Sequence, residues 1–293
     1  MAKSVTPVRR TTASRKPAAA PGKIKAADFV SALARGIEVL RLFSEEQPQI
    51  TTSEVAEKTG LSRAAARRFL LTLTELGYLQ VEQESFRPLP KLLELGYSYL
   101  STWNFRETVQ PYLRQAVDEL HENCSFGVLD GGDIVYLARA EARRIVQSIT
   151  ISVGTRVPAA VSAMGRVLLA HLPPEELDRL MSDHLLRAMT SRTITDPVLF
   201  RERLARVREQ GYALVEGEFE EGLISVAVPV FSSAGRAIAA INVGTPRSRA
   251  TAEQLVSEFL PVIQRTAADI SRAFAIRPRR EEDELIVRLA SSR

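Results

Sequence analysis

The chain has 293 residues, a net charge of +4, 45% apolar residues and 25% charged ones, the make-up of a globular protein with room for two domains. No apolar run approaches the roughly 18 residues of a membrane helix, the N-terminus lacks the apolar stretch of a secretory signal, and the single cysteine, Cys124, excludes an internal disulfide and a cysteine-based zinc site; a cytoplasmic protein with no membrane partner is expected. Residues 1–90 hold 14 Lys and Arg against 9 Asp and Glu, while 91–293 hold 25 against 26, so the basic excess lies in the first third and points to a polyanionic partner there.

Residues 1–27 carry seven basic residues and no acid, and read as a disordered basic tail, either solvated or adding contacts to DNA phosphates. Phe29, Leu33, Ile37, Leu40 and Phe43 recur at spacings of three and four, which predicts a helix with one apolar face. Thr51-Thr52-Ser53-Glu54 is a capping box opening a helix at about 52–58. Gly60 supplies a turn, and Ser62 is a good N-cap for a helix over 63–76. On a helical wheel Ala66, Phe69, Leu70, Leu73 and Leu76 fall on one side. Ala64, Arg67, Arg68 and Leu71 fall on the other, with Arg63 at the edge. A recognition helix needs this apolar back and a front of arginine and small residues, because arginine binds guanine edges or phosphates. An ordinary amphipathic helix with solvated arginines competes with this reading; the capping box, the glycine turn and the regional charge weigh against it. Residues 77–81 and 86–89 predict a two-stranded wing, with Arg87 placed for a backbone contact. The expectation is a winged helix-turn-helix DNA-binding domain over 28–90, with Thr51, Thr52, Ser62, Arg63, Ala64, Arg67, Arg68 and Arg87 as DNA-binding residues.

A linker helix is expected over 91–107, where Leu92, Leu93, Leu95, Tyr99 and Leu100 are too apolar for a free connector and call for a partner subunit. A helix from Thr108 to about 123 precedes a change of period to strands. Residues 126–130 and 134–140 flank the hairpin signal Gly131-Gly132-Asp133. A strand at 145–153, a helix at 158–172, and helices at 174–181 and 197–210, the last stopped by Gly211, come next. Strands at 212–216, 224–231 and 237–243 lead to Thr251-Ala252-Glu253-Gln254, which caps a long helix to about 276 and leaves a charged tail at 277–293. Strands mixed with helices without βαβ regularity make 108–276 an α+β sensory-type domain.

Nothing in the sequence calls for catalysis, a metal or a cofactor. His121, His171 and His184 sit on three separate elements. Ser162 lacks the glycines of a nucleophile elbow, and no phosphate-cradling or dinucleotide glycine motif occurs. Glu216, Glu218, Glu220 and Glu221 form an acidic cluster, either a solvated loop or a set of ligand-facing acceptors. A ligand pocket fits better. The turn from Val153 to Pro158 leads into Ala159, Ala160, Ser162, Ala163 and Gly165, and the amides of a helix starting there would favour an anion. Small residues serving helix–sheet packing are the alternative.

These segments, with Ala163-Met164-Gly165-Arg166-Val167-Leu168-Leu169-Ala170 and the run from Glu216 through Gly222 to Val230, resemble IclR-type transcriptional regulators over about residues 29–275. Asp130-Gly131-Gly132-Asp133-Ile134-Val135-Tyr136 and Gly154-Thr155-Arg156-Val157-Pro158-Ala159 further resemble the subgroup that governs aromatic-acid and β-ketoadipate catabolism. The resemblance implies a winged helix plus a GAF-like effector domain, a dimer or dimer of dimers, a double-stranded DNA operator and a small organic acid as effector. It implies effector contacts at Gly154, Thr155, Ala159, Ala160, Ser162, Glu216, Glu218 and Asn242. An enzyme of aromatic-acid metabolism fused to a DNA-binding module, and a constitutive DNA-binding protein with an inert sensory domain, are the competing functions.

Overall fold

Two helices of the N-terminal part, those that begin after Thr51 and Ser62, open on side-chain caps written in the sequence. The computed structural model of the protein describes residues 25–44, 46–97, 105–142, 151–182 and 185–275. Residues 1–24 of the basic tail and the C-terminal tail lie outside them, as do Tyr99, Leu100 and His184. Two compact units meet between Leu89 and Pro90. The first runs α1 (Ser31–Leu40), β1 (Ile50–Thr51), α2 (Thr52–Thr59), α3 (Arg63–Glu75), β2 (Leu79–Glu82) and β3 (Ser85–Pro88). The Thr51 hydroxyl accepts the Glu54 amide at 3.3 Å, and the Glu54 carboxylate accepts the Thr51 amide at 2.7 Å. Gly60, at φ +68°, ends α2 in the left-handed conformation that favours glycine. The Ser62 hydroxyl accepts the Ala65 amide at 3.2 Å and starts α3.

The wing is larger than expected. β1 joins β3, which joins β2, in an antiparallel three-stranded sheet; a two-residue strand is too short to leave an alternation signal. Val39, Ile50, Val55, Ala66, Leu70, Leu73, Leu79 and Phe86 form the core of this unit. The expected apolar face of α1 is corrected: Phe29, Leu33 and Ile37 are more than half exposed, and Val39 is fully buried instead. α1 meets the core through its C-terminal end, with Leu40, Leu42 and Phe43 packed beside Val39. Leu76, at the end of α3, is likewise exposed.

A 3-10 turn at Pro90–Leu92 and a helical turn at 93–97 begin the second unit. α4 (Phe105–Leu120) starts before Thr108 and carries Pro111 inside it. There follow β4 (Cys124–Asp130), β5 (Asp133–Ala140), β6 (Arg156–Pro158), α5 (Ala163–Ala170), α6 (Pro174–Ser182), α7 (Pro197–Gln210), β7 (Ala213–Glu216), β8 (Leu223–Phe231) and β9 (Ala237–Pro246). A helical lead-in, Ala252–Gln254, and a π-turn, Leu255–Phe259, run into α8 (Leu260–Ala275). The six strands form one antiparallel sheet in the order β6-β5-β4-β9-β8-β7.

Alternation along the strands divides the core in two. Cys124, Phe126, Val128, Val226, Val228, Ile241 and Val243 face α4 and α8, meeting Leu113, Ile263 and Ile270. Ile134, Tyr136, Ala227 and Ala240 face α5 and α7, meeting Val167, Leu169, Phe200 and Leu204. The β4–β5 turn places Asp130 and Asp133 side by side, and Arg156 of β6 binds both, at 2.6 and 3.1 Å.

Two expectations change in the second unit. The strand at 145–153 falls mostly outside the described residues; 151–153 are not a strand, and a short strand forms at Arg156–Pro158 instead. The helix expected from 158 begins at Ala163. Ala159–Val161 make one 3-10 turn, Ser162 is extended at φ −109° and ψ 145°, and its hydroxyl caps Gly165 at 2.9 Å. Serine is a strong N-cap, so the cap sets the helix start and Pro158 closes the strand before it. Gly165 is required by a close approach: a Cβ there would lie 2.0 Å from the Ala159 carbonyl oxygen.

Candidate functional site

The first candidate site is the face of α3. Ala66, Leu70 and Leu73 anchor the helix in the core, which turns Arg63, Ala64, Arg67 and Arg68 to solvent near its N-terminal end. Thr51 and Thr52 at the start of α2 border the same groove as Arg63, Ala64 and Arg67, with Val81, Gln83 and Glu84 of the wing on its other side. Ser62 is exposed at the start of α3. Arg87 on β3 is held within the wing, by Glu82 at 2.7 Å and Gln80 at 3.3 Å.

The second candidate is a cavity of about 100 Å³ on the α5 side of the large sheet. A polar row crosses its floor. Arg139 on β5 stands opposite Ser125 on β4, and Ser125 opposite Asn242 on β9. The Arg139 guanidinium donates to the Ser125 hydroxyl at 3.1 Å and to Glu141 at 3.3 Å. Asn242 donates through Nδ2 to the Ser225 hydroxyl at 3.1 Å, and its Oδ1 is buried with no hydrogen-bond partner. Tyr136, Val157, Val161, Met164, Val215 and Phe219 supply the apolar wall. Tyr136 is only 4% exposed, and burial pushes its phenol up to about 12 against the pull of Arg139, so it enters as a neutral hydroxyl.

Of the residues expected to contact an effector, the structure brings Ser162, Glu218 and Asn242 to the cavity. Ser162 arrives with its hydroxyl already accepting from Gly165. Glu218 arrives neutralised. Its Oε2 accepts from Arg166 and, at 3.2 Å, from the Ile194 amide. Arg166 is 4% exposed, donates to the Ala160 carbonyl at 3.1 Å, and lies 5.6 Å above the Phe200 ring. Burial lowers the Arg166 guanidinium from its ordinary value, and Glu218 counters that shift; an arginine stays charged all the same.

Gly154, Thr155, Ala159, Ala160 and Glu216 do not line the cavity. Gly154, at φ +91°, and Thr155 shape the turn before β6. Ala159 is buried and donates its amide to the Gly132 carbonyl at 2.8 Å, so it offers no free donor; Ala160 is buried too. Glu216 pairs with Arg247 at 2.5 Å. The sequence reading missed Ser125, Tyr136, Arg139 and Ser225. A polar residue at a core-facing strand position is a signal, but the pairing that lines them up is not local. Among the described residues, no group of three or more His, Cys, Asp or Glu is arranged to hold a metal ion, and no helix is long and apolar enough to cross a membrane.

Comparison with known proteins agrees with this architecture. Residues 32–83 match the IclR helix-turn-helix domain, and residues 97–272 match the C-terminal domain of the bacterial transcriptional regulator IclR. The Pca regulon regulatory protein of Pseudomonas putida is 39% identical over 83% of this chain and 84% of its own. The p-hydroxybenzoate hydroxylase transcriptional activator of Acinetobacter baylyi is 33% identical over 85% and 93%. The crystal structure of an IclR homologue from Microbacterium hydrocarbonoxydans, complexed with 4-hydroxybenzoate, superposes with a TM-score of 0.72, at 25% identity over 83% of this chain and 98% of that one. A winged helix-turn-helix unit followed by a GAF-like α+β unit, matched along both halves, makes this chain a member of the IclR family of bacterial transcriptional regulators.

Proposed function

We propose that the chain is a cytoplasmic regulator, dimeric or tetrameric, whose hold on a double-stranded DNA operator is set by a small aromatic acid in the cavity of its second unit. The observation that carries this reading is the polar row Arg139–Ser125–Asn242–Ser225 in a cavity that Tyr136, Val157, Val161, Met164, Val215 and Phe219 also line. A guanidinium at such a wall is the group best suited to a carboxylate. The unpartnered Asn242 Oδ1 calls for a donor such as a phenol hydroxyl. At about 100 Å³ the cavity is of the order of the ~150 Å³ apolar cavity that takes up benzene, so it suits one ring and not a fused pair. Because Arg166 cancels the charge of Glu218, the expected repulsion of a second carboxylate by Glu218 lapses, and Glu218 Oε1 stays available as an acceptor. Gly154, Thr155, Ala159, Ala160 and Glu216 act by shaping the turns around the cavity. The carboxylate lands on Arg139 and not on helix amides.

On the DNA side, Arg63, Ala64, Arg67 and Arg68 read the major groove. The helix starts at Thr52 and Ser62 offer amides to phosphates, Thr51 contributes as the cap that fixes the first of them, its own amide being held by Glu54, and Arg87 exchanges Glu82 for a backbone phosphate. Phe29, Val30, Leu33 and Ile37, on and before α1, are all more than half exposed, and neighbouring bare apolar side chains of this kind support assembly through this unit. The test is calorimetric titration of 4-hydroxybenzoate and protocatechuate into the full-length protein and into Arg139→Met. A charge-assisted hydrogen bond contributes about 1.5–3 kcal/mol, so the variant should bind roughly 10- to 150-fold more weakly. Equal affinity in the two proteins would overturn the carboxylate anchor; no heat with any aromatic acid would overturn the reading as a whole.

A further inference from the structure

Arg139 belongs to two neighbourhoods. Its guanidinium lines the cavity, tied to Ser125 and to Glu141. Its backbone carbonyl points off the edge of the sheet. β6 pairs with β5 only at Asp133, Ile134 and Val135, so among the described residues β4 is the one strand beside β5 at Arg139 and the other edge is open there. In that place the side-chain amide of Gln110 donates to the Arg139 carbonyl at 2.9 Å.

Gln110 sits on α4, a helix that follows the DNA-binding unit in the chain and belongs to the second unit. The next residue, Pro111, has no N–H, so the i→i−4 ladder of the helix is interrupted at this turn. On either side Val109 and Leu113 are fully buried in the core shared with α8. This turn of α4 is therefore clamped by packing on one flank and tied to β5 by a polar contact on the other. It also lies where the helix bends most easily.

Resting on the aromatic-acid reading above, we infer that Gln110 is the coupling residue through which occupation of the cavity reaches α4. A ligand carboxylate and Glu141 compete for one guanidinium. Whichever holds it sets the β5 backbone at Arg139, and Gln110 passes that setting to the helix that leads to the DNA-binding unit. Coupling of this kind requires a contact that differs between the free and the liganded states, and a side-chain amide on a strand-edge carbonyl can be made in one and lost in the other. Gln110 does not line the cavity and belongs to the second unit, so neither ligand needs it for binding.

The experiment measures four affinities for each protein: 4-hydroxybenzoate alone, a duplex selected by the wild-type protein from a random-sequence pool alone, and each in the presence of the other. The coupling ratio is the factor by which one changes the other. In wild type it should fall in the usual range of about 5- to 150-fold. Gln110→Leu should keep both single affinities within about twofold and reduce the ratio by about fivefold, the factor one net hydrogen bond supplies. Gln110→Glu, which cannot donate to a carbonyl, should behave the same way, and it guards against a packing fault in the leucine variant. Gln110→Lys keeps a donor and should restore most of the ratio. A wild-type ratio in both donor-less variants would overturn the coupling role, as would a tenfold loss of acid affinity, which would make Gln110 part of the ligand site. A wild-type protein that binds no aromatic acid would overturn the aromatic-acid reading and this inference with it.

Discussion

Replacing Glu218 by alanine should be among the most damaging single changes in the second unit, although the residue lies on a loop end. The Arg166 and Glu218 side chains are 4% and 8% exposed. Without the carboxylate, the guanidinium retains the Ala160 carbonyl and the Phe200 ring, and neither carries the opposite charge. Breaking a buried pair by removing one partner costs about 3–5 kcal/mol, because the other charge stays buried and uncompensated. For a unit of 150–250 residues that is a drop of roughly 6–20 °C in melting temperature at about 2–4 °C per kcal/mol. Arg166→Met together with Glu218→Ala removes both charges, and the double variant should recover part of the loss, with an interaction energy of up to ~3 kcal/mol between the two changes. The assay is thermal denaturation of wild type, both single variants and the double variant at pH 7. A Glu218→Ala shift below about 2 °C, or strict additivity of the two changes, would refute the claim that this pair is neutralised internally, and would return Glu218 to the cavity as a free charge.

Other consequences can be checked as directly. Arg67→Ala and Arg68→Ala should stay folded and lose operator affinity, each by about 1–3 kcal/mol if bidentate to a base, read by footprinting. Deleting residues 1–25 should leave sequence preference intact and flatten the plot of log affinity against log salt, because all seven tail cations are removed with it. Gly165→Ala should lower the melting temperature of the second unit severely, since its Cβ would sit 2.0 Å from the Ala159 carbonyl oxygen and meet backbone, not a movable side chain. The Thr51 amide and hydroxyl hold Glu54 below its ordinary value of 4.5. The stabilisation from this cap is therefore present above about pH 4.5 and fades as pH falls through the lowered value. Glu54→Gln should remove that part of the acid sensitivity of the first unit, followed by circular dichroism.

How legible these sites were in the sequence depended on how local their determinants are. The helix-turn-helix was readable because the Thr51 cap, Gly60 and the Ser62 cap each act within four residues. β7, β8 and β9 were readable as short apolar runs, and α7 from its Pro197 start and Gly211 stop. The cavity was not, because its floor is a matter of register. Arg139, Ser125 and Asn242 come together only through the pairing of β5, β4 and β9, with a bulge at Phe126 and Gly127 shifting which β5 residues share the face. Arg166 was hidden for the same reason: its carboxylate partner is 52 residues away. The start of α5 was misplaced because Pro158 is a plausible first helical residue, while Ser162, four residues on, is the cap the chain uses.

Control of DNA binding by the acid is read from the operator affinity of the full-length protein as 4-hydroxybenzoate or protocatechuate is titrated in at fixed salt. A saturable change of at least about fivefold in either direction is expected, lost in Arg139→Met while its affinity for DNA without the acid is kept. An operator affinity that does not move at saturating concentrations of either acid, in a protein shown to bind that acid, would contradict it.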